Sequence, residues 1–382
     1  MKRDIPLKRI EAKILKRIGS QYQKKGKEPW VIAYSGGKDS TLVLHLVVQY
    51  LMSIKRHKRT IHVVCNDTLV ESPFVMDIAK EYISKFDKYA KQNNLPMSFH
   101  ITAPEYYDTF WTNIIGKGYP PPSRMFRWCT DRLKIRPTTK YITEVISKNG
   151  SVIMLIGSRM QESKQREKSI KKHLTNQEEF LSNHSTLENC EIFMPIADIN
   201  VDDLWEMISA FRTFWGERYT KLIQLYKDAL NGECPIILAK DDIPSCGNKS
   251  ARFGCWTCTV VKKDKSLEGL SRDDSNNFEL LVNFRNWLID FTSTKENRYP
   301  FSRKGVVRKR DDNTIIPGPL TLEARQKIYD NLMELGYKTN HDFLSEKERF
   351  VIKQEWHEAK VLQEMTKNSI EYLNEQMTVV IK

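Results

Sequence analysis

Six residues, Ser35-Gly36-Gly37-Lys38-Asp39-Ser40, join an apolar pentad, Trp30 to Tyr34, to a helical run that begins at Thr41. Adjacent glycines let the backbone turn tightly and approach a ligand closely. A helix starting at such a turn presents free N–H groups and the positive end of its dipole to an anion. The chemistry this allows is a phosphate cradle. It is not the GxxxxGK[ST] loop, which needs glycine where Ile32 stands, nor is it GxGxxG. The plainer alternative is a Gly-Gly turn with an incidental lysine and aspartate.

Two further segments suit the same ligand. Asp67 and Thr68 follow a second apolar run, where the carboxyl edge of an open α/β sheet carries ligand groups; Asp67 serves equally as a cap for the next helix. Gly157-Ser158-Arg159 follows another apolar run and continues through Glu162 and Ser163 to Arg166. Gly157 allows close backbone approach, and Arg159 or Arg166 can grip a phosphate with two N–H groups. A solvated, charged helix start is the competing reading.

The cysteines form a second constellation. Cys234-x11-Cys246-x8-Cys255-x2-Cys258 places four thiols within 25 residues, among the turn-formers Pro235, Pro244, Gly247 and Gly254. Four thiolates from a loop-rich segment can enclose a tetrahedral zinc or a [4Fe–4S] cluster, and both remain open. Cys129 is a fifth candidate. Arg127, Arg132 and Lys134 around it favour a reactive thiolate, whereas Trp128 beside it suits simple packing. Cys65 and Cys190 read as core.

These groups need a scaffold. The spacing predicts an opening amphipathic helix over Leu7–Lys25, then strands at Trp30–Tyr34, Ile61–Cys65, Met97–Thr102, Val152–Ile156 and Glu191–Met194. Helices over Thr41–Ile54, Pro73–Gln92 and the stretch before Gly150 separate them. Such alternation implies an α/β fold with an open, mainly parallel sheet covered on both faces. Glu167 to Asn189 lacks periodicity and reads as a mobile loop, and Val201 to Tyr226 reads as helical. The expected organisation is a nucleotide-binding domain over 1–200, a helical and cysteine-rich segment over 201–270, and a mainly α-helical region over 271–382.

The chain has 382 residues, 40% of them hydrophobic, enough for a real core. Its 61 basic and 48 acidic residues leave +13, which biases the surface toward polyanions. The most apolar stretch, Thr41 to Met52, is too short for a membrane span and carries His45, Gln49 and Tyr50. The start of the chain lacks the apolar run of a secretory signal. A cytoplasmic protein without membrane partner is expected, where thiols bind metal or stay buried rather than form disulfides.

The loop Ser35 to Ser40 resembles the SGGxDS signature of the PP-loop ATP pyrophosphatases, also called adenine nucleotide α-hydrolase-like. Gly157 to Arg166 resembles the G-x-R-x-x-E-S-x-x-R segment of their sulfonucleotide-reductase branch. Longer strings narrow the likeness: Arg127-Trp128-Cys129-Thr130-Asp131-Arg132-Leu133-Lys134-Ile135-Arg136-Pro137, the stretch from Ser245 to Val261 around Cys246, Cys255 and Cys258, and Lys262 to Leu270. Over about residues 30 to 270 the chain resembles the DndC-type DNA phosphorothioation sulfurtransferases.

That resemblance implies an enzyme using ATP, Mg²⁺ and a [4Fe–4S] cluster. A backbone phosphate of DNA is adenylated with release of pyrophosphate, and sulfur from a cysteine desulfurase replaces AMP. Other subunits of a phosphorothioation complex are implied as partners. Lys38 and Asp39 become catalytic candidates, the first facing pyrophosphate and the second Mg²⁺. Nucleotide contacts fall to Ser35, Gly36, Gly37, Lys38, Asp39, Ser40, Asp67, Gly157, Arg159 and Arg166. Cys246, Cys255 and Cys258 are implied cluster ligands, with Cys129 and Cys234 competing for the fourth place and the loser carrying sulfur. A sulfonucleotide reductase and a tRNA thiolation enzyme are the alternatives. The first needs a mobile cysteine near the C-terminus, and no cysteine follows Cys258.

Overall fold

The computed structural model describes residues 4–24, 26–176, 179–229, 254–261, 278–361 and 364. Cys234 and Cys246, together with the matched string from Lys262 to Leu270, lie outside the described residues. Contacts divide the chain into two compact units. One comprises the described residues of 1–103 and 134–255, the other those of 104–133, 256–263 and 271–382.

The first unit is built on a seven-stranded sheet. Its strands are β1 (Trp30–Tyr34), β2 (Ile61–Asn66), β3 (Met97–Thr102), β4 (Val152–Leu155), β5 (Leu174–Asn176), β6 (Leu181–Asn183) and β7 (Cys190–Phe193), in the spatial order β3-β2-β1-β4-β7-β6-β5. The pairs from β3 to β7 are parallel; β6 pairs antiparallel with both β7 and β5. This is the open, mainly parallel α/β sheet expected. The chain runs outward from β1 through β2 to β3, then returns to the other side of β1 for β4. The order therefore reverses between β1 and β4, and in such sheets the crevice for a ligand lies at the carboxyl ends of the two strands that flank the reversal.

Apolar periodicity explains the layers. In β1, Trp30, Ile32 and Tyr34 join the larger core, whereas Val31 joins Val64, Ile142, Val145 and Val152 on the other face. Successive side chains of a strand point to opposite faces, so a strand buried on both reads as an unbroken apolar run. The larger core is covered by α1 (Asp4–Gln23), α2 (Lys38–Ser53) and α3 (Pro73–Gln92), and the other face by α4 (Arg136–Asn149). Helix α2 is buried at every position from Ser40 to Val48, so it is a core helix and not an amphipathic surface one.

Two expectations fail here. Glu167 to Asn189 is not a loop. It enters α5 (Lys164–His173), whose first turn is capped by Ser163 Oγ accepting from Arg166 N, and then forms β5 and β6. Three-residue strands are too short to show periodicity, yet Leu181 and Phe193 pair across the sheet and are buried. Nor is Val201 to Tyr226 one helical run: α6 (Val201–Ala210) and α7 (Thr220–Ala229) flank an irregular turn. Gly216 has φ of +92° within it. His45 stacks on Phe211 and Phe214 of that turn, with ring centroids 4.3 and 4.7 Å away, and its Nδ1 lies 2.9 Å from Tyr219 Oη. Burial pushes the His45 pKa down to about 4, so it is a neutral core residue.

In the second unit, α8 (Phe278–Ser293), α9 (Leu322–Thr339) and a helix over residues 346–361 are the long described helices. The fully buried Arg285 donates to the Cys258 and Val261 carbonyls. No helix among the described residues is long and apolar enough to cross a membrane.

Candidate nucleotide site

The loop between β1 and α2 leaves the carboxyl edge at the reversal point. Gly36 has φ of +72°, a left-handed conformation that glycine adopts without strain, and a Cβ there would stand 2.6 Å from Ala79 Cβ. Gly37 is the N-cap of α2 and offers no side-chain cap. The polar atoms of the loop brace one another. Ser40 Oγ accepts from Ser35 N at 3.2 Å, lies 3.1 Å from Ser35 Oγ, and donates to the Gly37 carbonyl.

The loop after β4 meets this one. A Cβ on Gly157 would lie 2.8 Å from the Asp39 carbonyl carbon and 3.0 Å from Ser40 N, so only glycine lets the two backbones pack so closely. That approach delivers Arg159. Its guanidinium is almost fully buried, donating from Nε to Asp39 Oδ1 at 2.5 Å and from Nη1 to the Ile199 carbonyl at 3.3 Å. Lys38 Nζ takes the other carboxylate oxygen, Oδ2, at 2.8 Å. Two cations thus share one anion at the start of a helix, leaving net positive charge where an oligophosphate would sit.

Tyr226 of α7 forms the remaining wall. Its hydroxyl accepts from Lys38 N at 3.3 Å, and Lys38 Nζ lies 5.4 Å from its ring centroid. Burial works to lower the Lys38 pKa, but Tyr226 and Asp39 outweigh it, and the ammonium is raised above its ordinary value. Burial likewise raises the Tyr226 phenol. Sequence reading missed Tyr226, because its pattern in α7 is that of a packing residue.

The other candidates separate. Asp67 is not a helix cap: Oδ1 accepts from Leu69 N at 2.9 Å within its own turn, and Oδ2 pairs with Lys80 at 3.0 Å. Because Tyr34 of β1 and Cys65 of β2 are register partners, Ser35 and Asp67 leave adjacent strands at one edge. Arg166 has a half-exposed side chain 3.5 Å from Glu162, whose other carboxylate oxygen accepts from Arg159 N at 2.8 Å. Cys255 belongs to the sheet-bearing unit. It bridges to Glu71, and its Sγ lies 3.5 Å from Thr68 Oγ1. Burial pushes the Cys65 thiol up to about 12 and the Cys190 thiol up to about 11, as core thiols require.

Cys129 is half-buried in the second unit. Of the cations near it in sequence, Arg132 donates to Asp108, Asn113 and Tyr119, and Lys134 pairs with Glu71 at 3.0 Å. Among the described residues no three Cys, His, Asp or Glu side chains gather as a metal site. A cavity of about 1000 Å³ lined by Gln21, Arg59, His184 and Asn189 opens at the opposite, amino edge of the strands, away from the phosphate loop.

The family model for the phosphoadenosine phosphosulfate reductase domain matches residues 29–261. A stretch of 141 residues, 36% of the chain, is 28% identical to an uncharacterised protein of Methanocaldococcus jannaschii, and the match spans only 24% of that protein. Among solved structures, the FMN adenylyltransferase of Candida glabrata aligns with 85% of this chain and 80% of its own at 13% identity and a TM-score of 0.35. The phosphoadenylyl-sulfate reductase of Candida auris aligns with 53% and 83% at 11% identity and 0.32. The U34-tRNA thiolase NcsA of Methanococcus maripaludis, solved with its [4Fe–4S] cluster, aligns with 76% and 80% at 12% identity and 0.31.

Proposed function

The chain belongs to the phosphoadenosine phosphosulfate reductase domain family, and from that premise we propose that it is an ATP pyrophosphatase that adenylates a DNA backbone phosphate and then inserts sulfur, as the DndC-type sulfurtransferases do. The observation that supports this reading is the meeting of two chemistries at one sheet edge. The Lys38–Asp39–Arg159 phosphate cradle leaves β1, and the Cys255 thiol lies against Thr68 beside the end of β2.

The ATP triphosphate lies over the first turn of α2, with Lys38 and Arg159 transferring from Asp39 to phosphate oxygens. A non-bridging oxygen of DNA attacks the α-phosphorus. A new P–O bond forms, the α–β bridge breaks, and the charge of the departing pyrophosphate falls on Lys38 and the loop N–H groups. Lys38 remains an ammonium through this, since an ordinary lysine titrates far above neutral pH and the phosphate charge favours its protonated form. Asp39 is then the carboxylate available to hold Mg²⁺, which offsets phosphate charge when bound. A persulfide from a cysteine desulfurase next attacks the activated phosphorus and AMP leaves; a second thiol breaks the S–S bond and frees the phosphorothioate.

Thiols are the right donors for an iron–sulfur cluster, and Cys255 and Cys258, both partly exposed, are separated by the Trp256-Thr257 turn. Cys246, Cys255 and Cys258, with Cys129 or Cys234, would hold [4Fe–4S], which would supply a place to bind sulfide. The name of the matched family favours a second reading, reduction of a sulfonucleotide. Mass spectrometry of nuclease-digested DNA from cells with and without the gene separates the two. Phosphorothioate dinucleotides that depend on Lys38 support the first, and sulfite release from a sulfonucleotide supports the second.

A further inference from the structure

In the second unit, residues 298–320 form a hairpin, paired at its base and towards its tip, whose outgoing arm makes a turn of its own where Ser302 N donates to the Val306 carbonyl and Gly305 N to the Ser302 carbonyl. Arg298 bridges to Leu320 and Lys309 to Ile315, and Ile316 N donates to the Arg308 carbonyl at 2.8 Å. The base is clamped by Arg298, which donates to the carbonyls of Gly318, Pro317 and Thr292. At the tip, Asn313 takes φ of +63° and Asp312 Oδ1 accepts from Thr314 N and Oγ1. Every residue from Arg303 to Ile316 is exposed.

Two properties of this ribbon call for a partner. Val306, Val307, Ile315 and Ile316 are 39–56% exposed, and a two-stranded hairpin with uncovered β-branched side chains is marginal on its own. Arg303, Lys304, Arg308, Lys309 and Arg310 supply five cations against Asp311 and Asp312, and Asp312 is engaged in the turn. Arg303 also lies 4.5 Å from the centroid of Tyr119, which stacks with Phe126 at an interplanar angle of 5°.

We propose that this ribbon grips duplex DNA, its cations on phosphates and its aliphatic side chains against base edges in the major groove. That groove admits a two-stranded ribbon, whereas the deep, narrow major groove of A-form RNA does not. An anionic bilayer is a poorer match, because the ribbon leads with Asp311 and Asp312 at its tip. The inference rests on the DNA reading above for its polymer, but it concerns binding and is tested without turnover.

The full-length protein is titrated against a labelled DNA duplex over a range of salt concentrations, alongside the exposed-site variant Arg308→Ser/Lys309→Ser/Arg310→Ser. Loss of three phosphate contacts should cut the slope of log affinity against log salt by about 2 to 3 and weaken binding roughly 100-fold near physiological salt. A second variant, Val306→Ser/Val307→Ser, should keep the salt slope and lose affinity for duplex DNA. Thermal unfolding should match wild type in both. Unchanged DNA affinity in the triple variant overturns the grip, as does an equal loss on duplex RNA or on phosphatidylserine vesicles. Failure of the grip is distinct from failure of the functional reading. A ribbon variant that binds DNA normally while Lys38→Ala stops pyrophosphate release removes only the grip. A wild-type protein that binds DNA through the ribbon yet releases no pyrophosphate removes only the reaction.

Discussion

Arg159 donates from Nε to Asp39 Oδ1 at 2.5 Å, across 120 residues of sequence, and so locks the loop after β4 onto the first turn of α2. Because the guanidinium is buried and also holds the Ile199 carbonyl, its removal leaves a carboxylate with one cation and a carbonyl without its donor.

Arg159→Met should therefore lower ATP-dependent pyrophosphate release roughly 100-fold, the usual effect of deleting one preorganised donor to a phosphate or oxyanion. It should also cost about 1–3 kcal/mol of stability. Arg159→Lys should recover stability better than activity, since a point charge does not reproduce the guanidinium's two directions. Steady-state kinetics beside denaturant unfolding checks both.

Gly157→Ala should impair nucleotide turnover while the rest of the sheet stays folded. The added methyl meets backbone atoms of Asp39 and Ser40, which cannot rotate away, so the α2 loop itself must shift. The expected result is a raised KM for ATP with an unchanged far-ultraviolet circular dichroism spectrum; wild-type kinetics would show that the close approach has no functional weight.

Acid stability should follow Asp198, which anchors α1 to the segment that presents Ile199. Burial works to raise its pKa, but the hydrogen bonds and charges of Arg17 and Lys13 outweigh it and bring it down to about 2. A depressed carboxyl stabilises the fold above its unfolded value near 4, and that stability is lost as pH falls toward 2. Asp198→Asn should thus destabilise the protein by about 2 kcal/mol at neutral pH, and the difference from wild type should shrink below about pH 4.

Anaerobically purified protein should be brown and carry about four irons per chain, with iron lost in Cys255→Ser and Cys258→Ser. Stoichiometric zinc without iron would contradict the cluster assignment, and full iron in both variants would contradict the ligand assignment.

The phosphate loop was legible because everything that defines it is local: an apolar strand, two glycines and a core helix follow one another in Trp30 to Met52. The same holds for β3 and α3, whose bounds agree with their hydrophobic periods. What sequence could not show depends on strand order. Arg159 and Arg166 were equal candidates until the β1–β4 pairing brought Gly157 against Asp39 and left Arg166 with Glu162. Tyr226 was hidden for the same reason. The hairpin strands β5 and β6 escaped notice because three residues are too few to establish a period.

The most direct test is to incubate the protein with ATP labelled at the α-phosphate, Mg²⁺ and duplex DNA, and to follow pyrophosphate, orthophosphate and the fate of the label. The account predicts pyrophosphate without ADP, label transferred to DNA and then released as AMP when a persulfide donor is added, and all of it absent in Lys38→Ala. ADP and orthophosphate as products, or normal pyrophosphate release in a well-folded Lys38→Ala protein, would contradict it.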